Sequence, residues 1–259
     1  MDYFVTCYFN FYKFVHKENL CINFCNKHNN VILLMPNRGD LINNSQVPNT
    51  HIVAVKTPEN LTGAHLQFYL LNKFVAGLKS YRSVTLLDSD LILESDYFEK
   101  VTEKVKSLSG PYIIHGFDTC EDETYFDANG TQHINVPMKS IIKQKGYGHS
   151  GLSWVFTKEA FDILGKLPTV FIIGGQDYIL ALCLLQDDRV LELINNNKYK
   201  KVIKLLFSKC KKIKTGFIHS NIMHKYHGPK DLRNYNGRWE MYDTDNFSLE
   251  GYWLSRGET

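Results

Sequence analysis

Apolar and polar positions alternate along the first 115 residues in a way that predicts strands and helices in turn. Short apolar runs predict strands at 3–11, 31–35, 51–55, 84–87 and 112–114. Helical spacing predicts helices at 16–28, 63–78 and 96–108, and the second carries Leu66, Leu70, Phe74 and Leu78 on one stripe. Strand–helix alternation of this kind is typical of a mostly parallel sheet covered by helices. The predicted fold class is therefore α/β, with a central, mostly parallel, Rossmann-like sheet flanked by helices.

The pattern is less regular in the rest of the chain. Residues 120–145 are polar and punctuated by glycine, which predicts a loop or a surface hairpin. Helices are predicted from residue 161 onward and at 178–185. A lysine-rich helical pattern covers 188–214, with Val202, Leu205 and Leu206 as its apolar anchors. Because neither a linker nor a repeat divides the chain, we predict one domain over residues 1–259.

The composition is that of a globular protein with a substantial core, since 44% of the residues are hydrophobic and 22% are charged. A net charge of +3 is too small to indicate nucleic-acid or membrane binding by itself. Aromatic residues reach 13%. That content suits rings that stack on sugars or bases, and it suits an aromatic core equally well.

Cysteine usage and the first residues bear on the compartment. Cys21 and Cys25 are one helical turn apart, but no second pair follows among the six cysteines, so we expect no zinc site. Buried thiols in a reducing compartment are the expectation. The opening residues predict a strand rather than a signal peptide, and no apolar stretch reaches transmembrane length. We therefore expect a cytoplasmic protein that is not secreted.

The chain's most informative segment is an acid pair at the end of an apolar run. Asp88-Ser89-Asp90 follows residues 84–87 directly. Two carboxylates at this place are costly to bury unless a cation or hydrogen-bond donors meet them. In open α/β sheets, ligands collect at the carboxyl ends of the strands. The pattern predicts a site there for a metal ion and a phosphorylated ligand, although such a tripeptide alone is common.

Two glycine-containing segments add further candidates. In GHSGLSW (148–154), glycine allows close backbone approach and Trp154 offers a flat apolar face. In GGQD (174–177), Asp177 stands at the predicted start of a helix, where the helix dipole favours a negative charge. Asp177 fits an N-cap as well as a catalytic acid, and the two roles are compatible.

A third cluster lies near residue 230. His219, His224 and His227 precede Gly228 and Lys230, with further cations up to residue 238. Imidazole can ligate a divalent ion, and lysine and arginine can neutralise a diphosphate. A basic surface loop is the simpler reading of such a segment taken alone. Together with the acid pair, it indicates metal-assisted transfer at a nucleoside diphosphate, with Mn²⁺ or Mg²⁺ as the ion.

On these residues the chain resembles a known family. The acid pair is similar to the DXD element of GT-A glycosyltransferases, and the order of motifs resembles a group of glycosyltransferases from phages and large DNA viruses. The resemblance runs from about residue 66 to 253 and depends on LNK (71–73), LDSD (87–90), GHSGLSW (148–154), GGQD (174–177) and HGPKDLRNY (227–235). It implies a hexosyltransferase that uses a nucleoside-diphosphate sugar, with UDP as the expected nucleotide, and a glycan or protein acceptor. Residues 1–115 would then bind the nucleotide-sugar, and residues 116–259 would complete the acceptor and metal sites.

The resemblance also assigns roles to residues. It implies that Asp90 binds the metal directly, that Asp88 contacts ribose or metal, and that His227 is the third ligand, with His224 as the competing one. It implies that Asp177 contacts the acceptor or acts as base; Gln176 replaces an acid that related enzymes often carry. The implied donor-binding residues are Thr6, Tyr8, Asn10, Asn72, Lys73, Ser89, Gly228 and Lys230. The implied acceptor-binding residues are Trp154, Gly151, Gly175 and Gln176.

Two other classes of protein are compatible with parts of the pattern. A nucleotidyltransferase also pairs carboxylates around Mg²⁺, but it ordinarily has a glycine-rich basic loop after the first strand, where this chain has residues 10–14, NFYKF. A non-catalytic carbohydrate- or nucleic-acid-binding module would use the aromatic residues and the lysines of 198–214. Its nucleic-acid form would show a steep salt dependence, and we expect no nucleic-acid partner.

Overall fold

The structure is a computed structural model that describes residues 1–9, 17–37, 42–57, 66–126, 132–171, 174–225 and 238–243. The strands in these ranges are β1 Asp2–Cys7, β2 Val31–Pro36, β3 His51–Val55, β4 Ser83–Leu87, β5 Leu91–Ile92, β6 Tyr112–His115, β7 Thr119–Phe126, β8 Gln132–Lys139, β9 Ser153–Thr157, β10 Lys214–Phe217 and β11 Asn221–His224. The helices are α1 Lys17–Lys27, α2 Leu66–Gly77, α3 Tyr97–Lys106, α4 Lys158–Leu164, α5 Gln176–Leu185, α6 Asn197–Cys210 and α7 Arg238–Asp243, with a 3-10 turn at Asp188–Leu191.

A seven-stranded sheet forms the centre, in the order β10-β6-β9-β4-β1-β2-β3. The neighbours pair in parallel except at β9, which is antiparallel to both β4 and β6. All five residues of β4 are buried, which confirms the prediction of a strand covered on both faces. The predicted class, a mostly parallel sheet flanked by helices, is confirmed.

Alternate residues of the central strands pack in different hydrophobic clusters, because successive side chains of a strand point to opposite faces of the sheet. Leu86 and Ile113 pack in the cluster that contains the apolar residues of α2, α4, α5 and α6. Leu87 and Ile114 pack in the cluster that contains those of α3. The core is therefore two layers of side chains, one on each side of the sheet.

A second, four-stranded sheet has the order β5-β11-β7-β8. Strands β7 and β8 form an antiparallel hairpin. Of the two alternatives predicted for the polar segment 120–145, a loop or a surface hairpin, the structure therefore has largely the hairpin. Strand β11 lies between β5 and β7 and is antiparallel to the first and parallel to the second. This sheet matters for the site, because β5 begins directly after Asp90.

The lysine-rich segment differs from its prediction in two ways. It is not one helix, since a 3-10 turn precedes α6, and β10 begins at Lys214. Leu205 is 59% exposed, so its assignment as an anchor is wrong, whereas Leu206 is buried. The buried stripe of α6 follows the 3.6-residue period through Tyr199, Ile203, Leu206 and Cys210, which turns Leu205 to solvent.

All six cysteines lie within the described residues, and all are buried and free of disulfides, as expected. No helix in the described ranges is long and apolar enough to cross a membrane. The prediction of one domain stays a prediction, although β9, from the second half of the chain, lies between two strands of the first half.

Candidate functional site

The acid pair lies at the carboxyl end of β4, where the sequence places it. The Asp88 N–H donates to the Leu152 carbonyl, and the Asp90 carbonyl accepts from the Lys225 N–H, both at 2.8 Å. The turn is therefore held on one side by the segment before β9 and on the other by the segment after β11. Leu152 has a φ of +80°, a conformation that residues with a side chain adopt only where their surroundings fix it.

Asp88 is surrounded by other acids. Its Oδ1 accepts a hydrogen bond from Gln67 Nε2 of α2 at 2.7 Å. Burial raises the pKa of Asp88 to about 7, and the nearby carboxylates of Asp90 and Asp177 contribute to this rise. Such a group of like charges is stabilised by a bound cation, so the structure shows the electrostatic condition for one.

A small cleft opens beside Asp88. It joins the end of β4, the segment before β9, α2 and the start of α5. Its lining residues are Gln67, Leu86, Asp88, Gly151, Leu152, Ser153, Trp154 and Asp177. Four residues that the sequence singles out in three separate motifs, Asp88, Gly151, Trp154 and Asp177, therefore meet at one cleft.

Asp177 lies in the first turn of α5, and the N-cap of that helix is Gly175, with a φ of +89°. The interpretation of Asp177 as the N-cap is therefore wrong by two residues, whereas its favourable position in the helix dipole stands. A Cβ on Gly151 would lie 3.2 Å from Asp177 Oδ2 and 3.5 Å from His149 Cε1. Glycine at 151 thus allows the carboxylate and the imidazole to approach the loop from both sides.

The second sheet brings an imidazole to Asp90. In the register of β11, His224 is opposite Leu91 of β5 on one side and opposite Asp122 of β7 on the other. Its Nδ1 is 2.9 Å from Asp122 Oδ1, and its Nε2 is 3.5 Å from Asp90 Oδ2. The side chains of Asp122 and His224 are only 2% and 12% exposed. His224 is therefore held between two carboxylates.

The two carboxylates decide the protonation of this ring. Burial alone would lower the pKa of His224, but the charges of Asp90 and Asp122 and the hydrogen bonds to both raise it to about 10. Without a cation the imidazole is therefore protonated and bridges the acids. A metal ion at this place would take over the neutralising role of that proton.

The donor set fits a divalent cation. Asp122, His149 and His224 each offer a ligand atom, and these atoms lie within 4.8 Å of one another, with Asp90 on the other side of His224. Carboxylate oxygens together with imidazole nitrogens suit Mn²⁺, and the oxygens alone suit Mg²⁺. Asp88 and Asp90, which the sequence assigns to the metal, border this group.

His115 holds the loop that carries Gly151. It lies at the end of β6, where its Nε2–H donates to the Gly151 carbonyl at 3.1 Å and its Nδ1 accepts from the Ser140 hydroxyl at 2.7 Å. Burial lowers the pKa of His115 to about 3, and His149 nearby contributes. The ring is therefore neutral, which is consistent with one nitrogen donating and the other accepting.

Trp154 has a structural role that the sequence does not indicate. The residue is 2% exposed, and its indole N–H donates to the Ser150 carbonyl at 3.0 Å. Its ring packs against His115, with the centroids 4.5 Å apart. Trp154 therefore forms the wall of the cleft, and stacking on an acceptor stays a prediction. Gly175 and Gln176, also assigned to the acceptor, lie buried at the start of α5.

The residues predicted to bind the donor near β1 are buried. The Thr6 hydroxyl donates to the Leu87 carbonyl at 2.9 Å, so it joins β1 to β4 just before the acid pair. Tyr8 is 1% exposed and Ser89 is 7% exposed. These contacts fix the end of the sheet, and direct contact with a nucleotide stays a prediction for each of the three.

Asn72 and Lys73 lie on α2. The Asn72 amide donates to the Leu167 carbonyl and accepts from the Leu167 N–H, both at 2.9 Å. The Lys73 ammonium lies 5.6 Å from the centre of the Tyr69 ring. Asn72 thus ties α2 to the segment after α4, and the donor-binding role of both residues stays a prediction.

Four assigned residues fall outside the described ranges, namely Asn10, His227, Gly228 and Lys230.

The site also contains residues to which the sequence assigns no role. Gln67 donates a hydrogen bond to Asp88, and His224 is within hydrogen-bond distance of Asp122. His149 enters the sequence prediction only as a member of the glycine-containing segment 148–154. Asp122 is separated from His224 by 102 positions, and only the strand register brings them together. The one signal in the sequence is the acidic run 121–123 before a β-rich segment.

Comparison with known proteins gives similarity to solved structures, at low identity. Neither the family models nor the curated protein sequences with which the chain was compared give a match. Among solved structures, the mannosyltransferase PcManGT from Pyrobaculum calidifontis, in complex with GDP-Man and Mn²⁺, is 12% identical with a TM-score of 0.48, over 100% of this chain and 64% of its own.

Two further structures are similar at the same level. Glucosyl-3-phosphoglycerate synthase from Mycobacterium tuberculosis, in complex with Mn²⁺, UDP-glucose and phosphoglyceric acid, is 11% identical with a TM-score of 0.46, over 99% of this chain and 79% of its own. GalNAc-T7 with UDP, GalNAc and Mn²⁺ is 11% identical with a TM-score of 0.46, over 88% of this chain. This chain spans only 43% of the GalNAc-T7 chain. At these scores no residue's role is transferred from them.

Proposed function

We propose that the protein is a metal-dependent glycosyltransferase that moves a sugar from a nucleoside-diphosphate sugar, with UDP as the nucleotide, to a hydroxyl group of a glycan or protein. The observation that supports this most is the meeting of Asp88, Asp90 and His224 at the carboxyl end of β4, with Asp177 lining the same cleft as Asp88. One side of the cleft suits a cation and a diphosphate, and Asp177 suits an acceptor.

The cation side would be formed by Asp90 and His224, with Asp88 beside them. When bound there, Mn²⁺ or Mg²⁺ supplies Lewis-acid stabilisation for the charge of a departing diphosphate. The hydrogen bond from Gln67 to Asp88 Oδ1 fixes the orientation of the carboxylate. It therefore also fixes the position of the second oxygen, Oδ2. Among the residues that follow β11 in the sequence, His227 remains the proposed third ligand of the metal, with His224 as the competing one, and Gly228 and Lys230 remain the proposed partners of the diphosphate.

The acceptor side would be formed by Asp177. Its carboxylate lies close to the Gly151 backbone, where the absence of a Cβ lets it approach the loop. A carboxylate that accepts the proton of an attacking hydroxyl is the general base that transfer with inversion needs. Asp177 also raises the pKa of Asp88, so a cation between the acids would favour the ionised form of both.

The central test is the replacement Asp90→Ala. We expect it to abolish the Mn²⁺-dependent binding of UDP, because it removes the carboxylate that faces His224. Isothermal titration calorimetry with UDP, with and without Mn²⁺, measures this. Asp162→Ala is the matched control, since it removes an acid on α4 that pairs with Lys158 and is 59% exposed.

The outcomes separate the proposal from its rivals. Binding of UDP by Asp90→Ala at the wild-type level would overturn it. Release of pyrophosphate from a nucleoside triphosphate, rather than UDP from a UDP-sugar, would identify a nucleotidyltransferase. Binding without turnover of any nucleotide-sugar would identify a non-catalytic module.

A further inference from the structure

We propose that Asp122 is a positioning residue for the metal centre. It would hold His224 so that the Nε2 atom of the ring faces Asp90, and the cation would bind between Nε2 and the Asp90 carboxylate. This inference rests on the proposed function, because it concerns the cation of the same site. It adds a residue that no motif in the sequence assigns to the reaction.

The geometry comes from the register of the second sheet. Asp122 and His224 are direct partners on the parallel strands β7 and β11, so their side chains lie on the same face. On the other side of β11, His224 is paired with Leu91, the residue directly after Asp90. The pairing with Asp122 and the hydrogen bond from the Lys225 N–H to the Asp90 carbonyl thus hold the imidazole between the two carboxylates.

The two nitrogens of His224 have different partners. Nδ1 lies 2.9 Å from Asp122 Oδ1, which is hydrogen-bond distance, whereas Nε2 lies 3.5 Å from Asp90 Oδ2. Since a carboxylate only accepts, the Nδ1 atom carries a proton and donates it. The nitrogen that can offer a lone pair to a cation is therefore Nε2. A carboxylate that binds the far nitrogen of a ligating histidine fixes the tautomer and the orientation of the ring.

His149 has a different tautomer. Its Nδ1 accepts from the Gly151 N–H at 3.2 Å, so in the neutral ring the proton is on Nε2. A nitrogen that carries a proton donates a hydrogen bond and does not ligate. His149 is therefore not assigned as a ligand of the cation. The competing arrangement, with Asp122, His149 and His224 all as direct ligands, is an outcome of the test below.

The test measures Mn²⁺ binding to the intact chain, without nucleotide or acceptor. Calorimetry gives the affinity, and pulsed electron paramagnetic resonance of the bound Mn²⁺ detects a ligating imidazole through its ¹⁴N nucleus. The variants are Asp122→Asn, Asp122→Ala, His224→Gln and His149→Gln. The matched control is Glu123→Gln, because Glu123 is the next residue of β7 and binds Lys225 rather than His224.

We expect Asp122→Ala to weaken Mn²⁺ binding by about 10- to 100-fold, the usual effect of losing such a partner, and to weaken the ¹⁴N signal as well. Asp122→Asn should be milder, because its amide oxygen still accepts from Nδ1. His224→Gln should abolish the ¹⁴N signal, whereas His149→Gln and Glu123→Gln should retain it. Circular dichroism and thermal unfolding of each variant show that it is folded.

Four results would overturn the inference. A weakened affinity with an unchanged ¹⁴N signal in Asp122→Ala would make Asp122 a direct ligand. A ¹⁴N signal that persists in His224→Gln and disappears in His149→Gln would reverse the two histidines. Wild-type affinity in Asp122→Ala would leave Asp122 without a role at the metal while the proposed function stands. If the wild-type chain itself binds no Mn²⁺, the proposed metal dependence fails as well.

Discussion

Asp177 shows how one side chain is defined by what surrounds it. Gly175, the N-cap of α5, has no side chain that could cap the helix. Asp177, two positions later, lines the cleft. Its Oδ2 faces the backbone of Gly151, and its charge contributes to the raised pKa of Asp88. A carboxylate placed in the first turn of a helix is also stabilised in its ionised form by the helix dipole. These contacts support the proposed role of Asp177 as the acceptor of a proton.

We expect Asp177→Asn to keep the donor affinity and to lose the transfer. The amide has nearly the same shape but cannot accept a proton, so turnover should fall by about 10²- to 10⁴-fold. Calorimetry with UDP and Mn²⁺ measures the first quantity, and UDP release from a panel of UDP-sugars and acceptors measures the second. Asp188→Asn, an exposed acid in the 3-10 turn that follows, should change neither. Unchanged turnover in Asp177→Asn would remove Asp177 from the chemistry.

At the scale of elements, strands β1 to β4 and β6 could be predicted because each is an apolar run between polar segments. Strands β9, β10 and β11 could not, since their residues read as parts of glycine, lysine or histidine motifs. The same limit applies to the site. Asp88, Asp90 and Asp177 stand in local patterns, whereas the contact of Asp122 with His224 depends on which strands pair and in what register. Gln67 is one polar residue on a helix and carries no pattern of its own.

Helix α2 depends on a side chain that the sequence assigns to the donor. Because Asn72 makes two hydrogen bonds to the Leu167 backbone, we expect Asn72→Ala to lower the free energy of unfolding by about 2 kcal/mol, at roughly 1 kcal/mol for each bond. Urea unfolding measures this, and calorimetry with UDP and Mn²⁺ tests the predicted donor-binding role of Asn72 separately. Lys73→Ala is the control for stability, since Lys73 is exposed. A loss of UDP affinity with unchanged stability would instead assign Asn72 to the donor.

At the scale of the whole molecule, the candidate site lies where the two sheets meet at the end of β4. His115 belongs to this junction, since its ring connects the Gly151 loop of the central sheet with Ser140 at the end of β8. It also packs between Phe117 and Trp154. The arrangement needs a neutral ring, because one nitrogen must accept. Protonation of His115 would break the contact with the Ser140 hydroxyl proton and place a charge in the core.

This requirement predicts how stability depends on pH. Burial lowers the pKa of His115 from 6.5 to about 3, so between these values the unfolded chain binds a proton that the folded chain excludes. Because the unfolded state binds more protons there, the free energy of unfolding rises with pH and falls as the pH drops below 6.5. At about pH 5 the loss due to this one group is about 2 kcal/mol relative to neutral pH.

We expect His115→Gln to reduce this dependence, because glutamine can donate to Gly151 and accept from Ser140 without titrating. The variant should be less stable than the wild type at neutral pH, but its loss between about pH 7.5 and pH 5 should be smaller by about 2 kcal/mol. Urea unfolding at several pH values measures both. His51→Gln replaces an exposed imidazole on β3 and should leave the pH dependence as it is in the wild type. If His115→Gln instead loses stability toward acid as steeply as the wild type, the neutral imidazole at the junction of the two sheets is not what limits the fold at low pH.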